Sequence, residues 1–164
     1  MGAVAGQTDS IDFALAAYRE EGQWQVAEIA EHFCEELGAV VTGLRRFPGD
    51  GGALGLIGID EDFFLLVRVT GSQVHVLLSD VTAAEEWELA REAVQLLDLP
   101  MPEDEDEQAP AGDLGILADA GVTAIDMGVL LDDYDLYPDE ALSEIARRVG
   151  FGDLFDDAVG LTSA

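Results

Sequence analysis

Between residues 53 and 79 the chain holds three apolar segments whose connections are too short for anything but tight turns. ALGLIGI spans 53–59, FFLLVRV spans 63–69 and VHVLLS spans 74–79, with Asp60-Glu61 and Gly71-Ser72 between them. Parallel neighbours need a crossover of about a dozen residues or more, so strands joined this closely are antiparallel. The middle segment is apolar at almost every position. That predicts a central strand covered on at least one face. Gly55 and Gly58 in the first segment mark a bulge or a close backbone approach.

The flanking sequence supplies more strands and the helices that cover them. IDFALAAYR and QWQVAEI flank Glu20-Glu21-Gly22 and read as a hairpin. Phe33, Leu37, Val40, Val41 and Leu44 then fall at helical spacing, up to the loop Pro48-Gly49-Asp50-Gly51-Gly52. A second helix is predicted from near Ala83, with Trp87, Ala90, Val94 and Leu97 as its apolar stripe. Pro100 and Pro102 end it. The run Glu103-Asp104-Glu105-Asp106-Glu107 and the following Gln108-Ala109-Pro110-Ala111-Gly112 read as a mobile acidic linker.

Short helices are expected beyond it. Asp113 caps Leu114–Ala120, ahead of Gly121, and Thr123 caps Ala124–Leu131. Pro138 lies in the first turn of a helix closed by Gly150, and Asp153 opens a last helix bearing Phe155. The predicted class is α+β, an antiparallel sheet of about five strands covered by helices and followed by a helical C-terminal unit. The expected division is a sheet domain at 11–99, a linker at 100–112 and a short-helix unit at 113–159. That unit either stands apart or packs on the first as one domain.

Charge narrows the function. The 164 residues include 35 acidic and 7 basic side chains, a formal charge of −28. Every basic residue is arginine; lysine and asparagine are absent, as in the products of GC-rich genomes. No Schiff-base or P-loop lysine is available. Nucleic-acid affinity comes largely from phosphate neutralisation, so no direct binding of DNA or RNA is expected. Anionic membrane surfaces are excluded for the same reason. Basic proteins are the complementary partners. Residues 83–164 hold 22 of the acidic residues, against three arginines. No apolar run approaches about 18 residues and no signal-like N-terminus is evident, so a soluble cytoplasmic protein is expected.

Candidate chemistry is sparse. His32 and His75 are the only histidines and Cys34 the only cysteine. His32 and Cys34 are two apart, a spacing that does not share a helix face, and zinc needs more ligands than these. Cys34 lies among Glu31, Glu35 and Glu36, the wrong field for a reactive thiolate. His75 alternates with Val74 and Val76 and reads as a solvated strand residue. Asp132, Asp133, Asp135, Asp139 and Glu140 crowd around Tyr134, Leu136 and Tyr137. Oxygen ligation of a divalent ion is conceivable there, but the EF-hand glycine is missing, and solvated carboxylates at a helix start are the simpler reading. No catalytic residue, metal site or cofactor is assigned.

Several segments carry a resemblance. Asp135-Leu136-Tyr137-Pro138-Asp139-Glu140-Ala141-Leu142 and Ile145-Ala146-Arg147-Arg148-Val149-Gly150-Phe151-Gly152-Asp153 resemble the signature of the actinobacterial tRNA adenosine deaminase-associated protein family. Gly112–Asp119, Phe64–Val69 and Leu77–Asp80 resemble it as well. The likeness covers most of 11–157 and is strongest over the last 45 residues or so. An actinobacterial source agrees with the GC-rich composition. The resemblance implies an association with a tRNA adenosine deaminase, by gene neighbourhood, and no catalytic residues. The deaminase's own H-x-E and P-C-x-x-C zinc signature is absent, since Phe33-Cys34 follows His32 and Cys34 stands alone.

The expected function is therefore a non-catalytic accessory protein that binds another, basic, protein, the deaminase being one candidate. Two alternatives stand beside it: an acidic nucleic-acid mimic that blocks a basic groove, and a carboxylate enzyme using a divalent metal. Interfaces favour aromatic anchors inside a polar rim. Tyr134, Leu136, Tyr137, Phe151 and Phe155 are accordingly the predicted partner-binding residues. The same aromatics could instead seal the tail onto the sheet.

Overall fold

The computed structural model describes residues 11–29, 36–47, 52–59, 63–71, 73–85, 87–98, 110–132 and 137–159. The expectations on His32, Phe33 and Cys34, on the acidic run 103–107, and on Asp133, Tyr134, Asp135 and Leu136 fall outside the described residues.

β1 (Ile11–Glu20) and β2 (Gln23–Glu28) form the first hairpin. Glu21 and Gly22 both take positive φ, 54° and 79°, as the two-residue turn that matches strand twist requires. β3 (Ala53–Ile59), β4 (Phe63–Thr70) and β5 (Gln73–Leu78) lie where the apolar segments put them. A sixth strand, β6 (Ala111–Gly112), pairs with Leu77 and Leu78. It occupies the last two residues of the segment read as a linker. Gly112 has φ 118°, and a Cβ there would stand 2.2 Å from the Val76 carbonyl oxygen, so the close pairing depends on glycine. The strand order is β2-β1-β3-β4-β5-β6, and every pairing is antiparallel.

Both faces of this sheet are covered. Alternate side chains, among them Ala16, Ile57, Leu65, Val67, Val76 and Leu78, lie under α1 (Leu37–Leu44) and α2 (Glu88–Leu96). The intervening Leu15, Leu54, Leu56, Phe64, Leu66 and Leu77 lie under the C-terminal tail. Burial on two sides is why β4 is apolar at both parities, a pattern more usual in parallel sheets.

Side chains set the boundaries of the covering helices. The N–H of Leu37, at the start of α1, donates to Glu92 Oε1 of α2 at 2.7 Å, so one helix caps the other. α2 begins later than the stripe predicts. Asp80 Oδ1 accepts from the Thr82 N–H (3.0 Å) and hydroxyl (2.6 Å), and the chain first makes a 3₁₀ turn over Val81–Glu85.

Among the described residues the tail has three α-helices: α3 (Ala124–Leu131), α4 (Pro138–Val149) and α5 (Gly152–Val159). Thr123 Oγ1 accepts the Asp126 N–H at 3.1 Å, the expected cap of α3. Gly150 closes α4 with φ 123°. The helix predicted over Leu114–Ala120 is not regular; turns lead into a 3₁₀ segment at Ala118–Ala120. Arg68 explains part of this. Its Nη1 donates to the Ile116 carbonyl at 2.9 Å, occupying the acceptor that an α-helix would offer residue 120.

Candidate functional site

The tail is held to the sheet by its aromatic residues. Phe155 of α5 meets Phe13 of β1 edge to face, with ring centroids 5.6 Å apart. Phe13 in turn lies over Gly58, where a Cβ would stand 2.5–2.7 Å from its ring carbons. What approaches Gly58 is the Phe13 ring rather than backbone, and the β1–β3 register shifts beside it, between Ile11 and Phe13, opposite Ile59 and Gly58. Phe151 packs on Trp24 of β2 at 4.9 Å, and Arg19 covers the same indole, its guanidinium carbon 5.3 Å from the ring centroid. Phe151 and Phe155 are 1% and 0% exposed. Their rings belong to the core, with Leu142, Ile145 and Val149 of α4 beside them. Buried rings offer no area to a partner, so these two members of the predicted set act as anchors of the tail.

Tyr137 is different. It is 56% exposed, just ahead of Pro138 at the start of α4. Its backbone N–H donates to Glu140 Oε1 at 2.9 Å, and the Glu140 N–H donates to Asp139 Oδ1 at 2.9 Å. These two carboxylates of the acidic cluster therefore cap α4 and complement its dipole. Tyr134 and Leu136 lie outside the described residues.

Side chains of β4 and β5 make further polar contacts from the sheet to the tail. Arg68 of β4 forms a two-pronged pair with Asp119, Nη1 to Oδ1 at 2.6 Å and Nη2 to Oδ2 at 3.0 Å. The hydrogen bond from Arg68 holds the Asp119 carboxyl below its usual range; burial opposes this, and the Arg68 charge adds to it. Cross-strand from Arg68, His75 places Nδ1 3.3 Å from Asp113 Oδ2. The strand reading of His75 holds, and its side chain is partly exposed beside a carboxylate. An open groove of about 420 Å³ runs between α4 and α5, lined by Ser143, Arg147, Gly152, Asp153, Leu154 and Asp156. Ser143 closes part of it by donating to Asp156 at 2.6 Å. Among the described residues, no three His, Cys, Asp or Glu side chains converge as metal ligands.

One surface was not singled out from the sequence. Ile125 and Val129 of α3 are 79% and 68% exposed, four residues apart on one face, while Met127 and Leu131 are buried on the other. The signal was present: AIDMGVLL is apolar around most of its circumference, although a helix on a sheet buries one side. No helix among the described residues is long and apolar enough to cross a membrane.

Comparison with known proteins agrees with the signature segments. The profile of the family described as Rv3753c-like tRNA adenosine deaminase-associated protein matches residues 12–152. Protein Rv3753c of Mycobacterium tuberculosis is 41% identical over 144 residues, which span 86% of this chain and 83% of that protein. No solved structure gives a significant match.

Proposed function

The chain belongs to the Rv3753c-like tRNA adenosine deaminase-associated protein family, and from that premise we propose that it is a non-catalytic accessory protein that binds a tRNA adenosine deaminase through the enzyme's basic surface. The observation that carries this reading is the charge of −28, with arginine as the only cation. An enzyme that takes tRNA presents a basic face to the phosphates. A strongly acidic protein is steered towards such a face and repelled by nucleic acid. The described part of the carboxylate cluster supports the same reading, because Asp139 and Glu140 are occupied in capping α4.

The test is a mixture of the purified chain with the purified deaminase of the same organism. A complex at stoichiometric ratio, with deamination unchanged or raised, is the expected result. A complex that lowers activity by displacing tRNA would identify an acidic mimic instead. No complex at low salt would remove the reading.

A further inference from the structure

Three features of α3 are hard to reconcile with selection for the isolated fold. Ile125 and Val129 leave β-branched apolar side chains mostly in water, 79% and 68% exposed. Gly128 sits between them in the helix interior, where glycine is less stable than alanine. Among the described residues nothing lies within 4 Å of the Cβ it lacks, so no contact there calls for glycine. Ala124, one turn before Gly128, is exposed as well. These four residues share one face of the helix, with small residues at 124 and 128 beside the ridge of 125 and 129.

A face of this shape lets a second helix approach closely, its ridge entering the groove over Gly128. The charges around it select the occupant. Asp126 adjoins Ile125, and Asp132 caps the C-terminal end of the helix in an exposed position. Asp126 is partly answered by Arg148, at 3.8 Å, while Asp132 extends the acidic border of the stripe. A second copy of this chain would bring another −28 to the contact, an unfavourable approach for a small apolar area. A helix with an apolar ridge flanked by arginine or lysine meets both the shape and the charge.

We propose that the Ala124–Ile125–Gly128–Val129 face of α3 is the docking surface for such a basic-flanked amphipathic helix on the deaminase. The inference rests on the function proposed above and names the surface that performs it. Gly128 supplies the closeness of approach, Ile125 and Val129 the apolar contact, and the aspartates the orientation.

The test uses the full chain and the purified deaminase of the same organism, with Ile125→Ser/Val129→Ser and Gly128→Ala as variants and Leu96→Ser on α2 as control. Both variants are expected to fold. Gly128→Ala should raise the melting temperature by about 1–3 °C, yet weaken the complex about tenfold. The serine pair should weaken it at least as much, and the control should bind as the parent does. Equal binding by all variants would overturn the docking surface while leaving the proposed function standing. Failure of the parent chain to bind would overturn the function and this surface with it. A homodimer of the parent chain that the serine pair dissolves would show the occupant to be a second copy, and would also overturn the proposal.

Discussion

Replacing Phe155 by alanine tests whether the tail is part of the folded core. Phe155 is fully buried, and its ring meets Phe13, which itself lies over Gly58. Truncating a buried phenylalanine costs about 3–5 kcal/mol, the lost transfer energy plus the cavity. For a chain of this length each kcal/mol lowers the melting temperature by about 2–4 °C, so a fall near 10 °C is expected. The column of three residues makes a sharper prediction. Gly58→Ala places a Cβ 2.5–2.7 Å from the Phe13 ring and should cost about 1–3 kcal/mol by overpacking. With Phe155 removed, the Phe13 ring has room to tip towards the vacated space. The double variant should therefore lose less stability than the two single changes together, by at least about 0.5 kcal/mol. Urea unfolding of the four proteins measures the cycle. A loss below about 1 kcal/mol for Phe155→Ala, or additive effects, would show that α5 does not press on β1 in this way.

Asp119→Asn should remove an acid-dependent contribution to stability. Arg68 lowers the Asp119 pKa below its ordinary 3.8 in the folded state; the pair therefore stabilises above that value, and the benefit is lost as pH falls through the lowered one. The pair is largely exposed at Asp119, so the wild-type advantage in urea midpoint should correspond to less than about 1 kcal/mol at pH 7 and shrink as pH falls below 3.8. Tyr137→Ala should change stability by no more than about 0.5 kcal/mol while weakening capture of the deaminase; a drop of several degrees in melting temperature would place the ring in the core. The isolated chain should not shift tRNA or DNA in a gel at moderate salt, and sub-micromolar binding there would contradict the charge argument.

Local signals were readable where the chain satisfies them locally. The turn at Glu21-Gly22, the strands over 53–79, the Thr123 cap and the Gly150 stop each follow from neighbouring residues. Elements defined by distant partners were not. β6 is two residues long and exists because Leu77 and Leu78 are there to pair with. The 114–120 segment is shaped in part by an arginine on β4, 48 residues from the carbonyl it takes. The described members of the predicted contact set, Tyr137, Phe151 and Phe155, show the same limit. An aromatic among aspartates looks alike in sequence whether it anchors a tail, as Phe151 and Phe155 do, or faces water, as Tyr137 does. Ile125 and Val129 were overlooked for the opposite reason, because apolar residues in a helix are first read as core.

The measurement that bears most directly on the account is the dissociation constant of the chain with the purified tRNA adenosine deaminase, titrated at low and at moderate salt. The account predicts saturable binding that weakens as salt rises, because an acidic surface of net −28 meets a basic one, with deaminase activity retained in the complex. No binding at low salt, or binding accompanied by loss of activity as tRNA is displaced, would contradict it.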